Sequence, residues 1–210
     1  MLTYIVSFSC NARCVMCDSW RKPSPNELTP AELDEILRDF PRLDVVRLTG
    51  GEPFARNDLS EIAEIVRRRT DPAVLHLTTN GFLTQRLVEF CEKRKKDRPL
   101  HVLVSIDGFG PEHDRIRRRE GAFEKAMAAV TALARRRKEL RLNVAVNQTV
   151  VDATGLEHYR ILRDHLKPLG VHNHFVLAYE ESATYSLEES TVVEERGERA
   201  FPAFRNVDAG

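Results

Sequence analysis

Short apolar runs alternate along the chain with longer segments in which apolar residues recur every three or four positions. The short runs are typical of buried strands, and the longer segments are typical of amphipathic helices. The pattern predicts strands over residues 2–8, 45–49, 74–79, 100–106, 142–151 and 171–177. Between them it predicts five helices, marked by the apolar residues Leu33, Ile62, Leu87, Val130 and Leu162.

The clearest helix boundary is at Thr29. Its hydroxyl suits a capping position, Pro30 suits the first helical position, and Glu32 completes a capping box. Apolar residues then recur at helical spacing as far as Phe40, and Pro41 cannot continue a helix. The sequence therefore predicts a helix from Pro30 to Phe40.

The strict alternation of strand and helix predicts an α/β fold, in which a parallel sheet is connected by right-handed crossovers. Six strand–helix units have two solutions. One is an incomplete barrel, since a closed barrel of this type has eight units. The other is a doubly wound open sheet. Periodicity alone does not separate the two.

After Leu177 the pattern changes. Residues 178–210 hold eight acidic and three basic residues, a net charge of −5, so residues 1–177 carry +5. No clear period follows. We expect residues 1–177 to form the core domain. Residues 178–210 are expected to be an acidic C-terminal appendage, either partly disordered or the start of a truncated extension.

Composition sets limits on the class of protein. The chain has 210 residues, 42% hydrophobic and 30% charged, which suits one globular domain. Lys plus Arg and Asp plus Glu both number 32, so no global basic field indicates nucleic acid or an anionic membrane. No apolar stretch approaches the ~18 residues of a membrane span. The N-terminus has no signal-peptide pattern, and we expect a cytoplasmic location.

The most specific chemical signal is a loop of cysteines after the first strand. Cys10, Cys14 and Cys17 are four and three positions apart. In a reducing compartment such crowding favours metal binding over disulfides. Structural zinc sites and electron-transfer clusters normally have four protein ligands, so three leave an open coordination position. Cys91 lies on the apolar face of a helix and is expected to be a buried core thiol.

Further candidates follow the predicted strands. Gly50 and Gly51 allow the backbone to approach a ligand closely, and Glu52 supplies an acceptor for a cationic group. Ser105 and Asp107 are two positions apart, so both side chains are expected to point to one face, where they suit ribose hydroxyls.

The Cys-x3-Cys-x2-Cys spacing resembles that of the radical S-adenosylmethionine (SAM) enzymes. The surrounding residues are similar to the branch that includes molybdenum-cofactor biosynthesis enzymes and SPASM peptide-modifying enzymes, over about residues 2–177. The resemblance implies an incomplete (β/α)6 TIM-like barrel with parallel strands and a [4Fe-4S] cluster. It also implies reductive cleavage of SAM to a 5′-deoxyadenosyl radical that abstracts a substrate hydrogen. The implied metal ligands are Cys10, Cys14 and Cys17.

The resemblance also assigns roles at the SAM site. The element Gly50-Gly51-Glu52-Pro53 would bind the SAM amino group, and Ser105 with Asp107 would lie near the ribose. The resemblance also gives Asn80 a site-lining role. Asn147 is a further candidate on other grounds, because a polar residue in the middle of a predicted strand must face either a partner in the barrel interior or water.

Two positions depart from the family pattern. Arg117 matches the arginine that contacts the SAM carboxylate, although Arg118 stands where a glycine usually follows. Met16 replaces the aromatic residue common before the third cysteine, and its thioether can still pack on adenine.

Two alternatives stay open at this stage. One is a non-catalytic iron–sulfur protein or a degenerate barrel that binds a partner; Glu52, Ser105 and Asp107 argue against it, because electron transfer needs no SAM pocket. The other is a structural zinc site. The expected partners are an unidentified small-molecule or peptide substrate and an electron donor such as flavodoxin or ferredoxin. No cysteine follows Cys91, so either one cluster suffices or the chain is a piece of something longer.

Overall fold

The structure, a computed structural model, describes residues 1–22, 26–94 and 98–178. The strands are β1 (Leu2–Ser7), β2 (Val45–Gly50), β3 (Val74–Thr79), β4 (Leu100–Ser105), β5 (Leu142–Val150) and β6 (His172–Leu177). The helices are α1 (Pro30–Ile36), α2 (Leu59–Thr70), α3 (Thr84–Lys93), α4 (Pro111–Arg117), α5 (Ala122–Arg136) and α6 (Thr154–Leu166). Beyond Ala178, the predicted acidic appendage lies outside the described residues.

The order of the strands decides between the two predicted architectures. All neighbouring strands are parallel, and they follow one another in the sheet as β1-β2-β3-β4-β5-β6. A doubly wound sheet reverses its strand order at a switch point, whereas a barrel adds each strand on the same side. The fold is therefore the incomplete (β/α)6 TIM-like barrel.

The hydrophobic core lies between one face of the sheet and the helices that cover it. Alternate strand residues point into this layer and are completely buried, as Leu75, Leu77, Val102 and Val104 show. The helices contribute their apolar faces. Cys91 belongs to this core with no exposed surface, so the prediction of a buried thiol on α3 is confirmed. Among the described helices, none is long and apolar enough to span a bilayer.

Two helices differ from the sequence prediction. The predicted capping box is present at Thr29, but α1 ends at Ile36 rather than Phe40, and Phe40 is 40% exposed. Helix α4 was not predicted at all. It has seven residues, too few for a hydrophobic period to be recognised, and Pro111 occupies its first turn.

The end of β2 lies directly against the end of β1, just before the cysteine loop. The Gly51 amide donates to the Ser7 carbonyl (2.8 Å), and the Glu52 amide donates to the Ser9 carbonyl (2.9 Å). A Cβ atom added at Gly51 would lie 2.4 Å from the Ser9 carbonyl oxygen and 2.5 Å from that of Phe8. This backbone approach requires glycine, because the atoms in the way belong to the main chain.

We predict that Gly51→Ala lowers the free energy of unfolding by about 1–3 kcal/mol, the usual cost of overpacking. Urea unfolding measures it. Gly121→Ala is the control for space, since Gly121 has no atom within 4 Å of an added Cβ. Gly121 adopts the left-handed helical region (φ 69°, ψ 14°), where alanine costs about 1–2 kcal/mol. A Gly51 variant as stable as the wild type would contradict the close approach.

Candidate active site

A cavity of about 340 Å³ lies at the carboxyl ends of the strands. The rim of a parallel barrel at this end is where such folds build their sites. The cysteine loop forms one wall. The ends of β2 to β6 contribute further lining, including Thr49, Thr78, Ser105, Thr149 and Val176.

The structure brings most of the predicted site residues to this cavity and leaves four away from its surface. The predicted residues that line it are Cys10, Cys14, Met16, Cys17, Gly50, Gly51, Asn80, Ser105 and Arg117. Glu52, Pro53 and Asp107 are buried behind the lining residues, and Asn147 is half-buried on β5, in register with Ser105.

Each cysteine of the loop accepts one hydrogen bond at its sulfur. The donors are the Ala12 amide to Cys10, the Arg117 Nη1 group to Cys14 and the Ser19 amide to Cys17, each at 3.4 Å. Burial raises the pKa of all three thiols, that of Cys10 to about 12. The free thiols are therefore protonated at neutral pH. If a metal centre displaces these protons, the same three donors would stabilise the resulting anionic sulfurs.

The loop that carries these cysteines is fixed to the barrel from two sides. On one side the amides of Arg13 and Val15 donate to the carbonyls of Arg117 and Ile116, at 3.2 and 2.9 Å. On the other side the Asn80 side-chain amide donates to Asn11 Oδ1 at 2.7 Å. The loop is thereby attached both to the end of α4 and to the turn after β3.

Glu52 is the buried acid of the site. It has no exposed surface, and its carboxylate accepts from Thr79 Oγ1 (2.7 Å), the Asn80 amide (2.8 Å) and the Phe54 amide (3.1 Å). Burial raises the pKa of Glu52, although these hydrogen bonds oppose the effect. The carboxylate therefore joins the end of β2 to the turn after β3, which in turn holds the cysteine loop.

Arg117 is the buried cation of the site. Its Nε lies 2.6 Å from Asp107 Oδ2, and its Nη1 donates to Cys14. Burial alone lowers the pKa of Arg117, but Asp107 and Cys14 outweigh it, so the pKa is raised and the guanidinium stays charged. The charge therefore lies between a carboxylate and a cysteine sulfur, at the surface of the cavity.

The position of Asp107 corrects one expectation. Ser105 and Asp107 were expected to share a face, but β4 ends at Ser105 and the chain turns. Ser105 lines the cavity, whereas Asp107 has no exposed surface and accepts from the Thr149 amide at 2.9 Å. The turn is held by His113, whose Nδ1 accepts from the Asp107 amide (2.9 Å). Burial lowers the pKa of His113 to about 2, so the ring is neutral, with its proton on Nε2.

Sequence reasoning missed Trp20 and the threonines of the cavity. Trp20 lines the cavity, and its indole Nε1 donates to the Cys17 carbonyl at 3.0 Å. Thr49, Thr78 and Thr149 also line it. Their position at the carboxyl ends of predicted strands was the signal that could have found them.

The three cysteines all line the cavity wall and pack in one cluster of side chains. Within the described part of the chain, no three His, Cys, Asp or Glu side chains converge on the position of a single metal ion. The sulfurs belong to different parts of one loop, and they share the wall with Met16 and Trp20.

Sequence comparisons identify relatives of this chain. The profile of the Radical SAM superfamily matches residues 4–165. GTP 3′,8-cyclase of Aquifex aeolicus is 33% identical over 177 residues, which cover 80% of this chain and 52% of that protein. Pre-heme d1 synthase of Dinoroseobacter shibae is 35% identical over 143 residues, which cover 66% of this chain and 34% of that protein. The chain thus spans about half the length of the first relative and about a third of the second.

A solved structure shows the same fold. SuiB of Streptococcus suis, crystallised with S-adenosylmethionine, superposes with a TM-score of 0.70 over 94% of this chain and 45% of that protein, at 14% identity. At this identity the likeness shows the fold alone. The sequence profile covers well over half of the chain. The chain belongs to the radical SAM superfamily, in the branch of the GTP 3′,8-cyclases, heme-synthesis enzymes and SPASM-like proteins.

Proposed function

We propose that this chain is the core of an enzyme that cleaves SAM reductively and directs the resulting hydrogen abstraction to a substrate held at the same rim. One observation carries the proposal: three cysteines, a buried arginine and two glycines of the β2 end line one cavity of about 340 Å³. That volume lies within the range of small-molecule sites. A [4Fe-4S] cluster bound there supplies the electron for SAM cleavage, the chemistry that gives the superfamily its name.

The residues present fit such a cluster. Cys10, Cys14 and Cys17 would hold three of its irons and leave the fourth to SAM. Hydrogen bonds to cysteine sulfurs are one of the means by which proteins stabilise ligated clusters, and each of these sulfurs accepts one. The charge of Arg117 beside Cys14 further favours an anionic centre.

Arg117 and the glycines are proposed to orient SAM. The guanidinium lines the cavity and uses Nε for Asp107 and Nη1 for Cys14, which leaves Nη2 for the SAM carboxylate. Gly50 and Gly51 line the same cavity and present backbone without side chains. A ligand can approach them closely.

The buried carboxylate of Glu52 is proposed to accept from the SAM ammonium. Three donors occupy part of its lone-pair capacity, and a carboxylate has about four acceptor positions. The remaining position lies behind the lining residues, so the ammonium would reach it beside Thr79 and Asn80, which do line the cavity.

The other end of SAM has proposed contacts as well. Ser105 lines the cavity at the end of β4 and is proposed to bind a ribose hydroxyl, with Asn147 beside it in register on β5. Met16 is proposed to pack on the adenine. Asp107 and Pro53 act indirectly in this proposal, the first by holding Arg117 and the second by shaping the turn after Glu52.

The alternative is a non-catalytic iron–sulfur protein or a degenerate barrel that binds a partner. Such a protein needs no ligand cavity beside its cysteines. The cavity next to the loop, with a buried cation on its surface, favours the catalytic assignment.

The rest of the proposal concerns partners and organisation. The substrate is a small molecule or a peptide, and a protein of the flavodoxin or ferredoxin class supplies electrons. The four cysteines are free thiols, which suits the reducing cytoplasm in which we place the protein. Residues 1–177 form the catalytic core and residues 178–210 an appendage to it.

We predict that the anaerobically reconstituted, chemically reduced protein converts SAM slowly to 5′-deoxyadenosine without substrate, measured by chromatography. Cys14→Ala should abolish both the cluster absorption and this product. Cys91→Ala is the matched control, since Cys91 is a buried thiol of the hydrophobic core, and it should keep its iron. No product from a fully loaded wild-type cluster would contradict the proposed function. Equal iron loss in both variants would contradict the ligand assignment.

We predict that Glu52→Gln weakens SAM binding about ten- to hundredfold, the worth of a charge-assisted hydrogen bond of ~1.5–3 kcal/mol. Its remaining oxygen can still accept from Thr79 and Phe54, while its new amide group would face the Asn80 amide, so we expect a lower free energy of unfolding with the iron content retained. Binding is measured by calorimetry on the reconstituted protein.

Glu61→Gln is the control for this variant. Glu61 lies in the first turn of α2, where it interacts with the helix dipole, and its exchange should leave SAM affinity unchanged. If Glu52→Gln binds SAM as tightly as the wild type, the ammonium assignment is wrong. If it loses the cluster, Glu52 supports the fold of the rim and does not select SAM.

A further inference from the structure

The outer face of the cysteine loop is basic. Arg13 is exposed in the middle of the loop, and its amide donates to the carbonyl of Arg117 (3.2 Å), which places the exposed Arg118 beside it. Arg119 follows, and its Nη1 donates to the Asn11 carbonyl. Arg21 is exposed just after the loop. We call Arg13, Arg21, Arg118 and Arg119 the basic patch.

Trp20 connects this patch to the cysteines. The guanidinium carbons of Arg13 and Arg21 lie 5.6 and 4.7 Å from the centroid of the indole ring. The same Trp20 side chain lines the cavity and donates to the Cys17 carbonyl. The patch therefore lies directly outside the wall that carries the three sulfurs, with one aromatic ring between them.

The positive charge of the patch is incompletely balanced. Asp18 lies 3.9 Å from Arg21, but its side chain is 5% exposed and presents little negative charge to solvent. Glu120 is an exposed acid next in sequence to Arg119. Among the described residues, neither Arg13 nor Arg118 forms an ion pair or donates a side-chain hydrogen bond. Because the whole chain has no net charge, this is a local concentration of cations.

The chemistry at the site requires an electron from outside. The cation that lines the cavity is Arg117, whereas the four arginines of the basic patch are not among its lining residues. Guanidinium groups that stack on an aromatic ring keep their edges for bidentate contacts with carboxylates. A partner with an acidic surface would therefore meet the protein at its shortest approach to the cysteines.

We propose that the basic patch is the docking surface for an acidic electron-transfer protein of the flavodoxin or ferredoxin class. This inference rests on the proposed function. In the step, the reduced partner loses one electron and the cluster held by Cys10, Cys14 and Cys17 gains it, and no bond is formed or broken. Complementary charge raises the rate of productive encounter more than it raises final affinity.

Arg13 and Arg118 offer the cleanest test, because Arg21 faces Asp18 and Arg119 holds the cysteine loop. The test variant is Arg13→Glu/Arg118→Glu in the reconstituted protein, with Arg13→Ala/Arg118→Ala as a milder form. The matched control is Arg135→Glu/Lys138→Glu, which makes the same charge change on exposed residues at and just after the C-terminal end of α5, near the amino end of β5.

Three measurements are made on each variant. Calorimetry gives the affinity for oxidised flavodoxin, stopped-flow absorbance gives the rate of cluster reduction by flavodoxin hydroquinone, and photoreduction with uncharged deazariboflavin gives the rate that needs no docking. At low ionic strength we expect the double Glu variant to be reduced by flavodoxin about ten- to hundredfold more slowly than the wild type and to bind it more weakly. The Ala variant should fall between them, the control should match the wild type, and added salt should shrink the differences.

The outcomes separate the two proposals. If flavodoxin binds and reduces the double Glu variant as it does the wild type, the basic patch is not the docking surface. If deazariboflavin also reduces that variant slowly, the Glu substitutions have damaged the site and the Ala variant decides: reduction of the Ala variant by flavodoxin at the wild-type rate overturns the docking assignment. If deazariboflavin reduces no cluster even in the wild type, the proposed function itself fails.

Discussion

The guanidinium of Arg117 imposes the constraint on which the rim depends. An arginine side chain cannot give up its proton in a protein, so a buried one must be surrounded by anionic or acceptor groups. Here Asp107 supplies one partner and the Cys14 sulfur another. These three groups come from the end of α4, the turn after β4 and the cysteine loop. Satisfying one charge therefore holds three segments together around the cavity, and it favours an anionic sulfur at Cys14 once a metal centre has displaced the thiol proton.

Glu52 holds the other side of the cysteine loop. Its carboxylate fixes the turn after β3 through Thr79 and the Asn80 amide, and the Asn80 side chain fixes Asn11. The site thus has a buried carboxylate and a buried guanidinium, each attached to the cysteine loop through a short series of hydrogen bonds. Removing either one would leave unpaired polar groups behind, which costs more than the lost contact itself.

The order of elements could be predicted from the sequence because strand-sized apolar runs and helical periods are local signals. Thr29 and Pro30 also predicted where α1 begins. The choice between an incomplete barrel and an open sheet required the strand order, which the sequence does not show. Helix α4 was missed because seven residues carry too little pattern. Most of the proposed site residues could be predicted from motifs, but the burial of Glu52 and Asp107 could not. A sequence shows that a carboxylate is present, whereas its hydrogen-bond partners, such as Thr79 and Thr149, depend on tertiary contacts.

The central claim is that three cysteines hold a cluster with one iron open to SAM. Electron paramagnetic resonance of the anaerobically reconstituted, reduced protein tests it most directly, with spectra recorded before and after SAM is added. If SAM binds at the open iron, its addition changes the cluster signal in the wild type, and substituting methionine for SAM does not reproduce the same change. A cluster spectrum that is identical with and without saturating SAM would contradict the account.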